Sequence, residues 1–225
     1  CAEAFRDDVE CRALVLTGSG AHFSAGADLK ERAAPSAPAT LLERRRAAFL
    51  GRRLLQAVRG IPQITIAAIR GVALGGGACL ATACDFRVAA TDARCGYPEV
   101  QRGMNLNWLG LPLCVHLVGP ARAKRMIALG EAEAAADLLE WGFLDELVEP
   151  ARVLDAALAM ARAYAARPPV AVQMIKQSVD AVAGALDAAT MHMDLDQWLL
   201  TMGSEDHAEG IRAFFEKRPP VFRGD

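Results

Sequence analysis

At 225 residues, 53% of them hydrophobic, with a formal net charge of −2, the chain can bury a sizeable core and has no basic excess suited to nucleic acid. Six cysteines make no CxxC pair and the four histidines make no HExxH spacing, so free thiols in a reducing compartment are expected and no metal site is. No signal peptide and no apolar span of about 18 residues is read, so the expectation is a cytoplasmic protein without a membrane partner.

The opening Cys1-Ala2-Glu3-Ala4-Phe5-Arg6 reads as the end of a helix already under way, and an earlier segment is expected to be missing. A strand follows at Ala13-Leu14-Val15-Leu16-Thr17, with a short continuation through Phe23, and leads into a glycine turn, Ser24-Ala25-Gly26-Ala27-Asp28-Leu29. The Ala/Pro/Ser-rich stretch Ala33 to Thr40 reads as a flexible, lid-like loop before a helix from Leu41 to Arg59. Arg44, Arg45, Arg46, Arg52 and Arg53 lie on that helix and read as a solvated face. After Pro62 comes a second strand, Ile64 to Ile69, and a second glycine turn, Ala73-Leu74-Gly75-Gly76-Gly77-Ala78, opening a small-residue helix through Cys84. Both strands are short, β-branched-rich runs bounded by glycine, the pattern of strands covered on both faces. A third strand is expected at Asp85 to Ala90.

Beyond Pro120 the texture becomes helical: Ala121 to Leu129, Ala134 to Trp141, a short apolar Leu144 to Val148, then Ala151 to Ala166, Pro169 to Val182 and Ala185 to Leu200. Alternating strands and helices imply an α/β layer with parallel pairing over residues 1–120, followed by a helical C-terminal region over 121–225. The last forty residues, with Trp198, Phe214 and Phe215, are apolar enough to need either the core or another subunit as a partner surface.

Two glycine turns can aim two backbone N–H groups at one oxygen. A helix opened by such a turn has unpaired first N–H groups and a positive dipole end, which favour an anion or a carbonyl becoming one. Downstream, Cys95-Gly96-Tyr97-Pro98-Glu99-Val100 places a carboxylate among apolar residues, where a raised pKa suits proton transfer near neutrality. The two donors and Glu99 together form a device for enolate chemistry on a thioester. A dinucleotide site is disfavoured, since Gly18-Ser19-Gly20 lacks the third glycine of GxGxxG, and no Gly-Lys-Ser/Thr ending marks a P-loop.

Phe23 to Leu29, Ile69-Arg70-Gly71-Val72-Ala73-Leu74-Gly75-Gly76-Gly77, Cys84-Asp85, Pro98-Glu99 and the ending Glu209 to Arg218 together resemble the crotonase, or enoyl-CoA hydratase/isomerase, family. The resemblance implies an α/β, crotonase-like spiral of ββα units with a helical C-terminal region that packs on the core and mediates trimerisation, as a trimer or hexamer. It implies that the N–H groups of Ala27 and Gly76 form the oxyanion hole for an acyl-CoA thioester. Ala25, Asp28, Leu29 and Lys30 would border the coenzyme A channel, and Phe215 and Lys217 would reach the coenzyme A of a neighbouring subunit. Glu99 matches the family's acid/base glutamate, and no cofactor is implied beyond coenzyme A as part of the substrate.

The chain departs from the family at Cys79, which stands where a hydratase carries its other glutamate; a buried thiol is a weak donor and poor acceptor. Asn107 stands where dienoyl-CoA isomerase-like and dehalogenase-like members carry aspartate, which disfavours those chemistries. Met104 and Trp108 are expected as pocket walls, with core packing as the alternative. The leading expectation is hydration of a 2-enoyl-CoA. The alternatives are a β,γ to α,β double-bond isomerase using a single glutamate and, from another class, a non-catalytic coenzyme A-binding scaffold.

Overall fold

The computed structural model describes residues 1–28 and 39–225. A 3-10 turn at Ala2–Arg6 is followed by β1 (Ala13–Thr17), α1 (Leu41–Arg59), β2 (Ile64–Ile69), β3 (Val72–Leu74), α2 (Gly76–Ala83), β4 (Phe86–Ala90) and β5 (Arg94–Gly96). A 3-10 turn at Pro98–Arg102 leads to α3 (Gly110–Ala128), β6 (Glu133–Ala134), α4 (Ala135–Glu140) and β7 (Glu146–Val148). The chain ends in five helices: α5 (Val153–Ala165), α6 (Pro169–Ala183), α7 (Asp187–Met191), α8 (Asp194–Met202) and α9 (Glu205–Glu216).

Four strands form a parallel sheet in the order β1-β2-β4-β7, with Ala13 opposite Ile64, Ile66 opposite Phe86 and Val88 opposite Glu146. A second sheet, β3-β5-β6, pairs β3 with β5 in parallel and β5 with β6 antiparallel. Each of the units β2-β3-α2 and β4-β5-(3-10 turn) sends one strand to each sheet, which makes the chain climb as a spiral of the expected crotonase-like α/β kind. All six residues of β2 are buried, as its unbroken apolar run predicts. Along β1 the residues are only half-buried, because among the described residues it pairs on one side only.

The helical texture after Pro120 needs two corrections. First, α3 begins at Gly110, eleven residues before the expected Ala121, and runs through a kink at Gly119 (φ 75°) and Pro120. Proline lacks the N–H that an unbroken helix would use, so Gly119 leaves the helical conformation there. Second, the C-terminal region is not wholly helical: Glu133–Ala134 and Glu146–Val148 add strands to the two sheets, and one apolar core spans residues on both sides of position 120. The segment Ala185 to Leu200 is broken between α7 and α8.

Buried polar side chains fasten these layers. Lys176 Nζ on α6 lies 2.6 Å from Asp85 Oδ2 and donates to the Gln63 carbonyl, while the same Asp85 oxygen accepts from the backbone N–H and hydroxyl of Thr65. Arg87, 2% exposed, donates to the carbonyls of Phe143 and Cys84 and pairs with Asp145. Each of these charges meets more than one partner, which offsets the cost of taking it out of water. All six cysteines are free thiols, and four of them are buried. The arginine face of α1 is only partly a solvated one, since Arg45 pairs with Asp196 and Arg52 donates to the Met191 carbonyl, tying α1 to the C-terminal helices.

Candidate functional site

The first glycine turn is zipped onto β3. Ser24 N–H donates to the Val72 carbonyl at 3.1 Å and Leu74 N–H donates to the Ser24 carbonyl at 2.9 Å. This pairing carries the turn to the start of α2. Gly26 has φ 87°, and a methyl group there would lie 2.8 Å from the Leu74 carbonyl oxygen and 3.3 Å from Gly76 N, so the two turns touch only because glycine fills the position. A methyl on Gly77 would lie 2.3 Å from the Ser24 oxygen. Gly75 has φ 55° and caps α2, whose first N–H groups have no acceptor inside the helix.

Glu99 sits in the 3-10 turn at Pro98–Arg102, which is closed by Gly103 in the left-handed region and by Met104 N–H donating to the Glu99 carbonyl. A methyl on Gly75 would lie 2.8 Å from Glu99 Oε1, so the carboxylate reaches directly over the second glycine turn. Its Oε2 is closed off from solvent. Ala25, Gly26, Ala27, Gly75, Gly76 and Glu99 line a single cavity of about 110 Å³. Two turns some fifty residues apart in sequence thus meet one carboxylate.

The other walls of this cavity include Cys79, Met104, Asn107 and Trp108, each singled out from the sequence. Burial pushes the Cys79 thiol well above its ordinary range, and the charge of Glu99 adds to that effect, so Cys79 is a neutral S–H at physiological pH. Its Sγ faces the Asn107 carbonyl.

Arg102 and Trp198 also line the cavity, and sequence reasoning assigned neither to it. Arg102 donates to the Pro98 carbonyl and stacks at 4.6 Å on the Phe214 ring. Burial lowers its pKa, with the nearby charge of Glu99 working in the opposite direction. The signal for Arg102 was its place three residues after Glu99, within the same turn. Trp198 arrives on α8 and gives no local signal.

The remaining expected site residues lie apart. Asp28 is exposed next to Ala27 but does not line the cavity, while Leu29, Lys30 and nearly all of the lid-like loop fall outside the described residues. Phe215 and Lys217, expected at the coenzyme A of a neighbouring subunit, are exposed near the end of α9 and outside this chain's own cavity, and the adjacent Phe214 meets the cavity residue Arg102.

The family model for enoyl-CoA hydratase/isomerase matches residues 2–225. A probable enoyl-CoA hydratase of Bacillus subtilis is 32% identical over 100% of this chain and 86% of its own length. A crotonyl-CoA hydratase of Syntrophomonas wolfei is 33% identical over 97% of this chain and 83% of its own. Among solved structures, a carnitinyl-CoA dehydratase from Mycobacterium avium superposes with a TM-score of 0.82 at 37% identity, covering 99% of this chain and 85% of that one. With the spiral fold, the paired glycine turns and the glutamate already in place, the chain belongs to the enoyl-CoA hydratase/isomerase family.

Proposed function

We propose that this enzyme hydrates a 2-enoyl-CoA, with the N–H groups of Ala27 and Gly76 holding the thioester oxygen and Glu99 handling the proton. The observation that supports this most is the reach of the Glu99 carboxylate over Gly75, beside the cavity end of α2. Glu99 takes a proton from a water molecule as that oxygen bonds to C3. The C2=C3 electron pair moves toward the thioester oxygen, giving an enolate that the two N–H donors stabilise, and Glu99 then returns the proton to C2. Each donor of such a hole contributes on the order of 100- to 1000-fold in rate.

In this reading one carboxylate serves as base and then as acid, because position 79 offers a neutral thiol in place of a second carboxylate. The names of the relatives favour hydration over isomerisation. A homotrimer or hexamer is proposed with it, through the exposed faces of α6 and α9, where Val170, Met174, Val179 and Phe215 are uncovered in the single chain. No described helix is long and apolar enough to cross a membrane.

The test incubates purified protein with crotonyl-CoA and identifies products by mass spectrometry. Gain of one water, giving 3-hydroxybutyryl-CoA, is expected. Unchanged crotonyl-CoA alongside conversion of the β,γ isomer to it would instead establish the isomerase.

A further inference from the structure

Trp108 and Leu109 are two consecutive residues with side chains in the left-handed region, at φ 61° and 59°. Non-glycine residues hold that conformation where the surrounding structure over-determines it, and such positions cluster at ligand sites. Three contacts do so here. The Leu109 N–H donates to Asp194 Oδ2 at 3.2 Å, and Asp194, 3% exposed, faces Arg52 of α1 across 3.7 Å. A methyl on Gly51 of α1 would lie 1.7 Å from Cε2 of the Trp108 indole, so α1 opens a slot that the ring occupies. At its benzene ring, a methyl on Gly76 would lie 2.6 Å from Trp108 Cζ3. The indole is thus held by two backbones, its pyrrole part against α1 at Gly51 and its benzene ring against the second glycine turn at Gly76.

That ring, with Met104 and Trp198, walls the cavity holding Glu99. A closed apolar cavity of about 150 Å³ takes one benzene ring. The cavity here, about 110 Å³ among the described residues, is smaller than that, which favours a short acyl chain.

We propose that Trp108 sets the acyl-chain limit of this enzyme: held against Gly51 and Gly76, its indole closes the pocket to long chains and confines binding to short 2-enoyl thioesters. This rests on the hydratase reading for its substrate class. Asp194 is a positioning residue in this arrangement, since it touches the backbone of Leu109 and not the pocket.

Kinetics of wild type, Trp108→Ala and Trp108→Phe with crotonyl-CoA and trans-2-octenoyl-CoA test this, alongside calorimetric titration of the same proteins with butyryl-CoA and octanoyl-CoA. A buried methylene contributes about fourfold in affinity, so releasing a blocked chain moves the ratio by about tenfold or more. The wild type is expected to favour the short thioester by about tenfold or more in kcat/KM and in affinity. Trp108→Ala should erase that preference, mainly by tightening the long chain, and Trp108→Phe should give an intermediate ratio. If the alanine variant does not fold, the phenylalanine variant and the wild-type titration carry the test. Equal affinity of the wild type for the two saturated thioesters, or an unchanged ratio in folded variants, overturns the proposal. Should neither enoyl thioester be hydrated, the hydratase reading fails, and the two titrations still decide the role of Trp108.

Discussion

At the scale of single residues, the site depends on where a side chain is missing. Gly75 combines a positive φ with a Cβ position 2.8 Å from Glu99 Oε1, so Gly75→Ala strains the backbone and pushes the carboxylate out of line. The left-handed conformation alone costs about 1–2 kcal/mol, which denaturant titration would register, and turnover should fall by more than the stability loss explains. A variant with wild-type turnover would remove Glu99 from the mechanism as described. Cys79 poses the reverse question. Cys79→Glu supplies a second carboxylate in the same cavity and should raise the hydration rate relative to any isomerisation. It should also lower the melting temperature, because Cys79 Sγ packs so near Gly110 that even a methyl there would lie 2.7 Å away, and overpacking a core costs about 1–3 kcal/mol. An unchanged hydration rate in the folded variant would mean that Glu99 needs no such help. The glycine turns, Glu99 and Cys79 were legible in the sequence because each lies in or beside a short motif, whereas Trp108 was read only as a pocket wall or a core residue. Asp194 was not legible, since it meets Leu109 across 85 residues and only through the packing of α8.

At the scale of elements, sequence and structure agree where periodicity and caps coincide. The helix expected from Leu41 to Arg59 has those bounds, and Thr40 and Glu43 form a reciprocal capping box at its start. Agreement is poorer where an element is short. Glu146–Val148 has three residues, too few to show a period, and it becomes a strand only because β4 offers an open edge. The last helix gives a pH test. Arg218 and the Val221 N–H hold the Glu209 carboxylate down to about 2, from an ordinary value near 4.5. A folded pKa below the unfolded one adds stability that is fully present above about pH 4.5 and is lost as pH falls through about 2. Thermal melts of wild type and Glu209→Gln should therefore differ at pH 6 and converge toward pH 2. A difference that stays constant with pH would assign the effect to packing alone.

At the scale of the whole molecule, the two sheets exist to bring distant turns together. Strands β2 and β3, joined by Arg70 and Gly71, pass from one sheet to the other, and β4 and β5 repeat the step, so that Gly76 and Glu99 arrive at one cavity from successive turns of the spiral. The sequence pattern conveyed alternation and parallel pairing, but not the second sheet, because strands as short as Val72–Leu74 leave no alternation to read. The C-terminal helices complete the cavity with Trp198 and press Phe214 onto Arg102, contacts that depend on side-chain packing across the full chain. In the proposed mechanism Glu99 moves the proton while the glycine turns hold the thioester. The most direct measurement compares wild type and Glu99→Gln for the rate of crotonyl-CoA hydration and for butyryl-CoA affinity. A loss of about 100- to 10,000-fold in kcat with affinity kept within a few-fold is the expected result. Hydration by Glu99→Gln at the wild-type rate would contradict it.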